Sequence, residues 1–139
     1  MSFKHILKYG VKGGVMAAVL NLIIFEIALR LFGLDFSVAV GGEASGVNEL
    51  NVILASFLPA LVAAVLYFGL DRTTAKPDRY FRVIAAVVLV ASLYMPFSAA
   101  EAATTAFVLG FMHIVAAFEI TKALTHDSAK VKVRRGGAD

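Results

Sequence analysis

The chain has no cysteine, which excludes disulfides, thiolate metal centres and thiol chemistry throughout its 139 residues. It has no tryptophan either, so the aromatic belt of a membrane interface would fall to Tyr9, Tyr67, Tyr80, Tyr94 and the phenylalanines. Charged residues make up only 17% of the chain, against about 25% in an average soluble protein. That scarcity is uneven. Leu50–Leu70, Val83–Ala100 and Ala102–Phe118 are runs of 21, 18 and 17 residues without Asp, Glu, Lys or Arg. What fills them is apolar: 60% of the chain is hydrophobic, and the mean hydropathy is +0.82.

A helix rises about 1.5 Å per residue and the hydrocarbon layer of a bilayer is about 30 Å thick, so each run is close to the ~20 residues that cross it. These lengths predict an all-α, polytopic membrane protein with four transmembrane helices in an up-down bundle and no room for a separate soluble domain. The first span is interrupted by Glu26 and Arg30, but Tyr9–Phe32 has the required length, with Lys12 and Arg30 able to snorkel to the two interfaces. A cleaved signal peptide competes for Lys4 and Lys8 before an apolar stretch; the apolar region continues to Phe32 without a small-x-small cleavage pattern, which argues against it. The remaining spans are expected at about 49–70, 80–95 and 99–124 within one domain, 1–124, followed by a basic, disordered tail over 125–139. Asp35–Val47 reads as a hydrophilic, turn-rich loop, and Asn48 stands where a helix N-cap belongs. Pro77 suits the start of the third helix and Pro96 its end. Ser98 and Glu101 have the spacing of a capping box that would open the fourth helix.

Twelve of the thirteen basic residues fall on one side, at the N-terminal end of the first span, around the middle connection (Arg72 to Arg82) or from Lys122 onward at the end of the last span, and only Arg30 lies near the opposite face. The positive-inside rule then places both termini in the cytoplasm of a cell-membrane protein. The basic tail can also bind anionic lipid headgroups, at about 1 kcal/mol per residue near the surface. Nucleic-acid binding is not expected, because there is no folded basic surface to present.

Gly10, Gly14 and Ala18 on the first span, and Ala102, Ala106 and Gly110 on the fourth, recur every four residues. Small residues at that spacing let helices approach closely, within the chain, in a homo-oligomer or against a membrane-protein partner. Ala60 and Ala64 on the second span are compatible with the same role. Ionisable groups at membrane depth are costly and so are functional suspects. Glu26 is four residues from Arg30 and Glu119 three from Lys122. Each reads as an ion pair on its own helix or as a proton- or ion-binding carboxylate on a transport path. Asn21, Pro59 and His113 each lie near the middle of a span. Because Pro59 cannot donate to the carbonyl of Ala55, Asn21 or His113 could satisfy that carbonyl, or the three could line a polar midplane site.

Catalytic signatures are absent. There is no phosphate loop, no H-E-x-x-H and no G-x-S-x-G, and His5, His113 and His126 are too scattered to form a metal site. The chain is therefore expected to be non-enzymatic, an accessory, binding or structural bundle without cofactor. A small oligomeric proton- or cation-coupled transporter or channel using Glu26 or Glu119 is the alternative.

Four segments carry a resemblance: Ala55-Ser-Phe-Leu-Pro-Ala-Leu-Val-Ala-Ala, Phe81-Arg-Val-Ile-Ala, Pro96-Phe-Ser-Ala-Ala-Glu-Ala-Ala-Thr-Thr-Ala and Met112-His-Ile-Val-Ala-Ala. Over roughly 11–124 the chain resembles an uncharacterised family of small bacterial four-span membrane proteins, classed as a domain of unknown function. The resemblance implies the architecture and draws attention to Pro59, Glu101, Thr105 and His113. It assigns them no roles.

Overall fold

A computed structural model describes residues 1–40 and 43–127. Four helices, α1 (Phe3–Arg30), α2 (Glu49–Thr73), α3 (Pro77–Ala99) and α4 (Ala103–Lys122), are each long and apolar enough to cross a membrane. A π-helical turn, Ala123–Asp127, prolongs α4, and a small hairpin, β1 (Ser37–Val40) and β2 (Glu43–Gly46), lies between α1 and α2. The apolar residues that a soluble protein would bury face outward: Val62, Val87, Val90, Phe107 and Phe118 are all exposed. A surface of that kind is stable against lipid and not against water.

The helices reach further than apolar length alone predicts, because polar residues terminate them. α1 starts at Phe3, not Tyr9. Ser2 is its N-cap, with a hydroxyl that accepts from the N–H of His5 at 3.4 Å. The helix ends at Arg30 and not Phe32; Gly33 takes the left-handed φ of +60° and lets the Leu34 N–H return to the Ala28 carbonyl. α2 begins where Asn48 caps the Asn51 N–H at 3.0 Å, and it runs on to Thr73 as the Thr73 and Thr74 hydroxyls donate to the carbonyls of Gly69 and Leu70. α3 opens with Pro77 in its first turn, three residues before the expected Tyr80, and continues through Pro96 to Ala99. Proline is tolerated within membrane helices where neighbours re-satisfy the backbone, so Pro96 does not end this one.

The expected capping box at Ser98 and Glu101 does not form. The Ser98 hydroxyl donates back to the Met95 carbonyl, and α4 starts four residues later than expected, behind Ala102, with no side-chain cap. Ala100 and Ala102 take extended backbone instead. Ala100 bridges to Val38 of β1, and the Glu101 N–H donates to the Ser37 carbonyl at 3.4 Å. The hairpin thus supplies partners that a cap would otherwise provide, and the stretch expected as a plain loop is a structural element.

The hairpin pairs Ser37 with Gly46 and Val40 with Glu43. Gly41 and Gly42 lie outside the described residues. Phe36, just before β1, inserts beneath the end of α1 with its ring 4.6 Å from that of Phe25, within a core of Phe25, Ala28, Phe36, Val52 and Met112. Thr105, almost wholly buried, fastens the start of α4 to this layer by donating to the Asp35 carbonyl at 2.6 Å.

At the other end, Ile6, Tyr67, Phe81, Ile120 and Leu124 form a second core, which brings the beginning of the chain and the end of α4 together. The Tyr67 hydroxyl donates to the Asp78 carboxylate, and the Met1 ammonium pairs with Asp71. Residues 125–127, expected in the tail, complete the π-helical turn, and Thr125 is buried and donates to the Thr121 carbonyl. The basic residues Lys130, Lys132, Arg134 and Arg135 lie outside the described residues.

Small residues decide which helices meet. A Cβ at Gly10 would stand 2.6 Å from the Cβ of Ala64, and one at Gly14 would stand 2.9 Å from that of Ala60, so this stripe is the contact between α1 and α2. Ala18 continues it and is buried. Gly13, which the four-residue pattern passes over, lies against Ile120 and Ala123 and brings α4 onto the other side of α1. On α4, Gly110 admits the Phe97 ring of α3 and Ala106 is buried. Ala102 precedes the helix and is exposed, so the expected stripe of α4 starts one repeat later.

A candidate ligand cavity

α3 leans on α4 and buries only Phe81 and Pro96 fully. The space it leaves against α2 is a cavity of about 760 Å³, within the range of about 300–1,000 Å³ typical of small-molecule sites. α2, α3 and α4 supply nearly all of its wall. Leu58, Val62 and Val88 line it and are also exposed, so it opens sideways, at the depth where a bilayer would lie.

α1 reaches this cavity through Asn21 alone, which is 3% exposed. Its amide nitrogen donates to the Ser56 hydroxyl at 2.9 Å and to the Met112 carbonyl at 3.0 Å, so one side chain ties α1 to α2 and α4 between the two apolar cores. Ser56 in turn donates to the Val52 carbonyl at 2.7 Å. The Asn21 oxygen is buried and has no hydrogen-bond partner among the described residues. A carbonyl dipole in that state costs about 1–3 kcal/mol.

Pro59 and His113 line the same cavity, so the three midplane residues read from the sequence do converge on one place. They do not join as expected. Both Asn21 hydrogens are committed elsewhere and the His113 Nδ1 pairs with the Leu109 carbonyl at 2.8 Å, so neither of these bonds goes to the Ala55 carbonyl, whose usual helical donor Pro59 lacks. Because the Leu109 carbonyl can only accept, Nδ1 carries the hydrogen of this bond. On α3, Ser92 also faces the cavity and donates to the Leu89 carbonyl at 2.8 Å. Sequence reasoning passed over Ser56 and Ser92, since a single serine on an apolar helix carries no periodic or motif signal.

The carboxylates stand elsewhere. Glu26 pairs with Arg30 one turn along α1, and Glu119 lies 3.9 Å from the Lys122 ammonium; neither lines the cavity. Among the described residues, no group of three or more His, Asp or Glu could hold a metal ion.

A family model described as a family of unknown function, DUF6069, matches residues 3–130, nearly the whole chain. No curated protein and no solved structure matches it.

Proposed function

This chain belongs to the DUF6069 family, and from that premise we propose that it is a non-enzymatic binding protein of the cell membrane, holding an apolar molecule from the bilayer between α2, α3 and α4. The cavity of about 760 Å³ carries this reading. An apolar concavity of that size favours hydrocarbon over water, and an opening at bilayer depth lets a ligand enter without crossing an aqueous phase. The non-enzymatic part is supported by the hydroxyl groups. Ser56 and Ser92 both give their protons to carbonyls of their own helices, and His113 does the same with its Nδ1, so these three cavity residues do not pair a nucleophile with a base. The positions of Glu26 and Glu119 outside the cavity favour binding over ion-coupled transport. The charge bias makes the end bearing Lys4, Lys8, Arg72 and Arg79 the cytoplasmic one, and the hairpin the outer one.

Native mass spectrometry of protein released from mild detergent tests the proposal. Wild type is expected to retain an apolar small molecule or lipid, and Ala116→Trp, which fills the cavity from α4, is expected to fold and lose it. A bare wild-type subunit, or retention unchanged in Ala116→Trp, would remove the basis for a binding role.

A further inference from the structure

The two ends of the cavity are unlike. Its walls on α3 and α4 run from Ser92 to Phe81 and from Leu109 to Thr121, about 16 and 18 Å at a rise of about 1.5 Å per residue. Both finish at the end of the bundle that carries Arg72, Arg79 and Arg82. Their length is close to one leaflet's share, about 15 Å, of a hydrocarbon layer about 30 Å thick. α2 carries the wall further, to Asn51 at the opposite end. Between the ends the wall suits hydrocarbon. Ser56, Ser92 and His113 each direct a hydrogen to a carbonyl of their own helix, so an apolar chain lying on them leaves those hydrogens paired.

The end at Phe81 and Thr121 is polar and positive. Thr121 brings a hydroxyl to the wall. Arg82 directly follows Phe81 and is exposed, and its guanidinium crosses from α3 to donate to the Thr125 hydroxyl at 3.5 Å, one helical turn beyond Thr121. The cation therefore stands at the edge of the cavity, held by a neutral group. Arg30 and Lys122 each face a carboxylate, whereas Arg82 forms no ion pair among the described residues. A guanidinium has five N–H donors, and one long bond to a threonine leaves most of them for another acceptor.

Resting on the binding role proposed above, we infer that the occupant is an anionic phospholipid of the leaflet on the basic side, with one acyl chain in the cavity and its phosphate on Arg82 beside Thr121. Guanidinium and phosphate pair bidentately, and a headgroup of net negative charge complements an arginine without a carboxylate partner, where a zwitterionic headgroup brings its own cation. The chain of a single leaflet matches the α3 and α4 walls. The lateral opening beside Val62 and Val88 lets the second chain stay in the bilayer.

The test places the protein in nanodiscs of equal parts phosphatidylglycerol and phosphatidylcholine with identical acyl chains, and native mass spectrometry of the released protein reads which lipid stays bound. Wild type is expected to retain one lipid and to favour phosphatidylglycerol by about fivefold, the worth of one basic residue at a membrane surface. In Arg82→Gln the ratio should fall to near one with a lipid still retained, because the cavity itself is intact. Arg72→Gln removes a charge from the same end, but from a side chain stacked on the Phe68 ring, and should leave the preference unchanged. Ala116→Trp should release both lipids. Equal retention of the two lipids by wild type, a preference that survives Arg82→Gln, or one lost as fully in Arg72→Gln would overturn the assignment of the headgroup to Arg82 and leave the binding role standing. A single-chain carboxylate retained in place of either phospholipid would overturn the lipid class in the same way. A bare wild type, or a phosphatidylglycerol preference that persists in Ala116→Trp, would overturn the inference together with the role it rests on.

Discussion

The Asn21 side chain on α1 hydrogen-bonds to both α2 and α4, and it does so where lipid offers no competing hydrogen bonds. Interhelical hydrogen bonds in membranes are nonetheless modest, averaging about 0.6 kcal/mol and reaching about 1.7, because the unfolded segments find other partners in the bilayer. Asn21→Ala is therefore expected to lower stability in detergent unfolding by about 1–2 kcal/mol, well short of abolishing the fold. The Glu26–Arg30 pair sits differently. The Arg30 side chain is 72% exposed, so the pair contributes less than about 1 kcal/mol and Glu26→Gln should leave the unfolding midpoint nearly unchanged. A large loss in Glu26→Gln would show that this carboxylate has a partner or a role beyond Arg30.

Glycine, and not hydrophobicity, decides how the elements approach. Since a methyl at position 14 would collide with both Ala60 and the Phe57 ring, Gly14→Val is expected to cost about 1–3 kcal/mol by overpacking α1 against α2. At the junction of α3 and α4, two substitutions separate the observed arrangement from a capping box. Ser98→Ala should be silent in thermal unfolding, because its hydroxyl only returns to the turn that precedes it. Thr105→Val should cost about 1 kcal/mol, because it removes the hydrogen bond that the buried Thr105 hydroxyl donates to the Asp35 carbonyl. The reverse order of effects would restore the cap at Ser98 and detach the hairpin from α4.

The whole molecule is a three-helix packing of α1, α2 and α4, with α3 as an outer wall that completes a cavity. Its orientation can be read directly, because a chain without cysteine accepts a single reporter thiol at any exposed position. In intact cells, an impermeant maleimide is expected to label Ser45→Cys in β2 and to label Ser2→Cys only after permeabilisation, provided the hairpin faces outward. Labelling in the opposite order would invert the topology inferred from the basic residues.

Apolar run length and charge distribution were enough to determine four membrane helices, because a span must be near 20 residues long and nearly free of charge whatever it packs against. Local chemistry at Asn48 and Pro77 likewise located helix starts, since a cap or an N-terminal proline acts within one turn. The glycine stripe of α1 announced a contact, but only the tertiary structure named Ala60 and Ala64 as its partners and showed Gly13 serving a second helix. The hairpin was available in the alternation Ser-Val-Ala-Val before Gly41-Gly42, yet four residues are too short a stretch to tell a strand from a loop without a partner such as Ala100 in place. The cavity lay beyond reach for the same reason. A helix in lipid can be apolar on every face, so its sequence does not distinguish the side that meets bilayer from the side that meets α2. Which of those sides stands open depends on how far α3 leans from its neighbours, a property of the packed molecule that no single segment encodes.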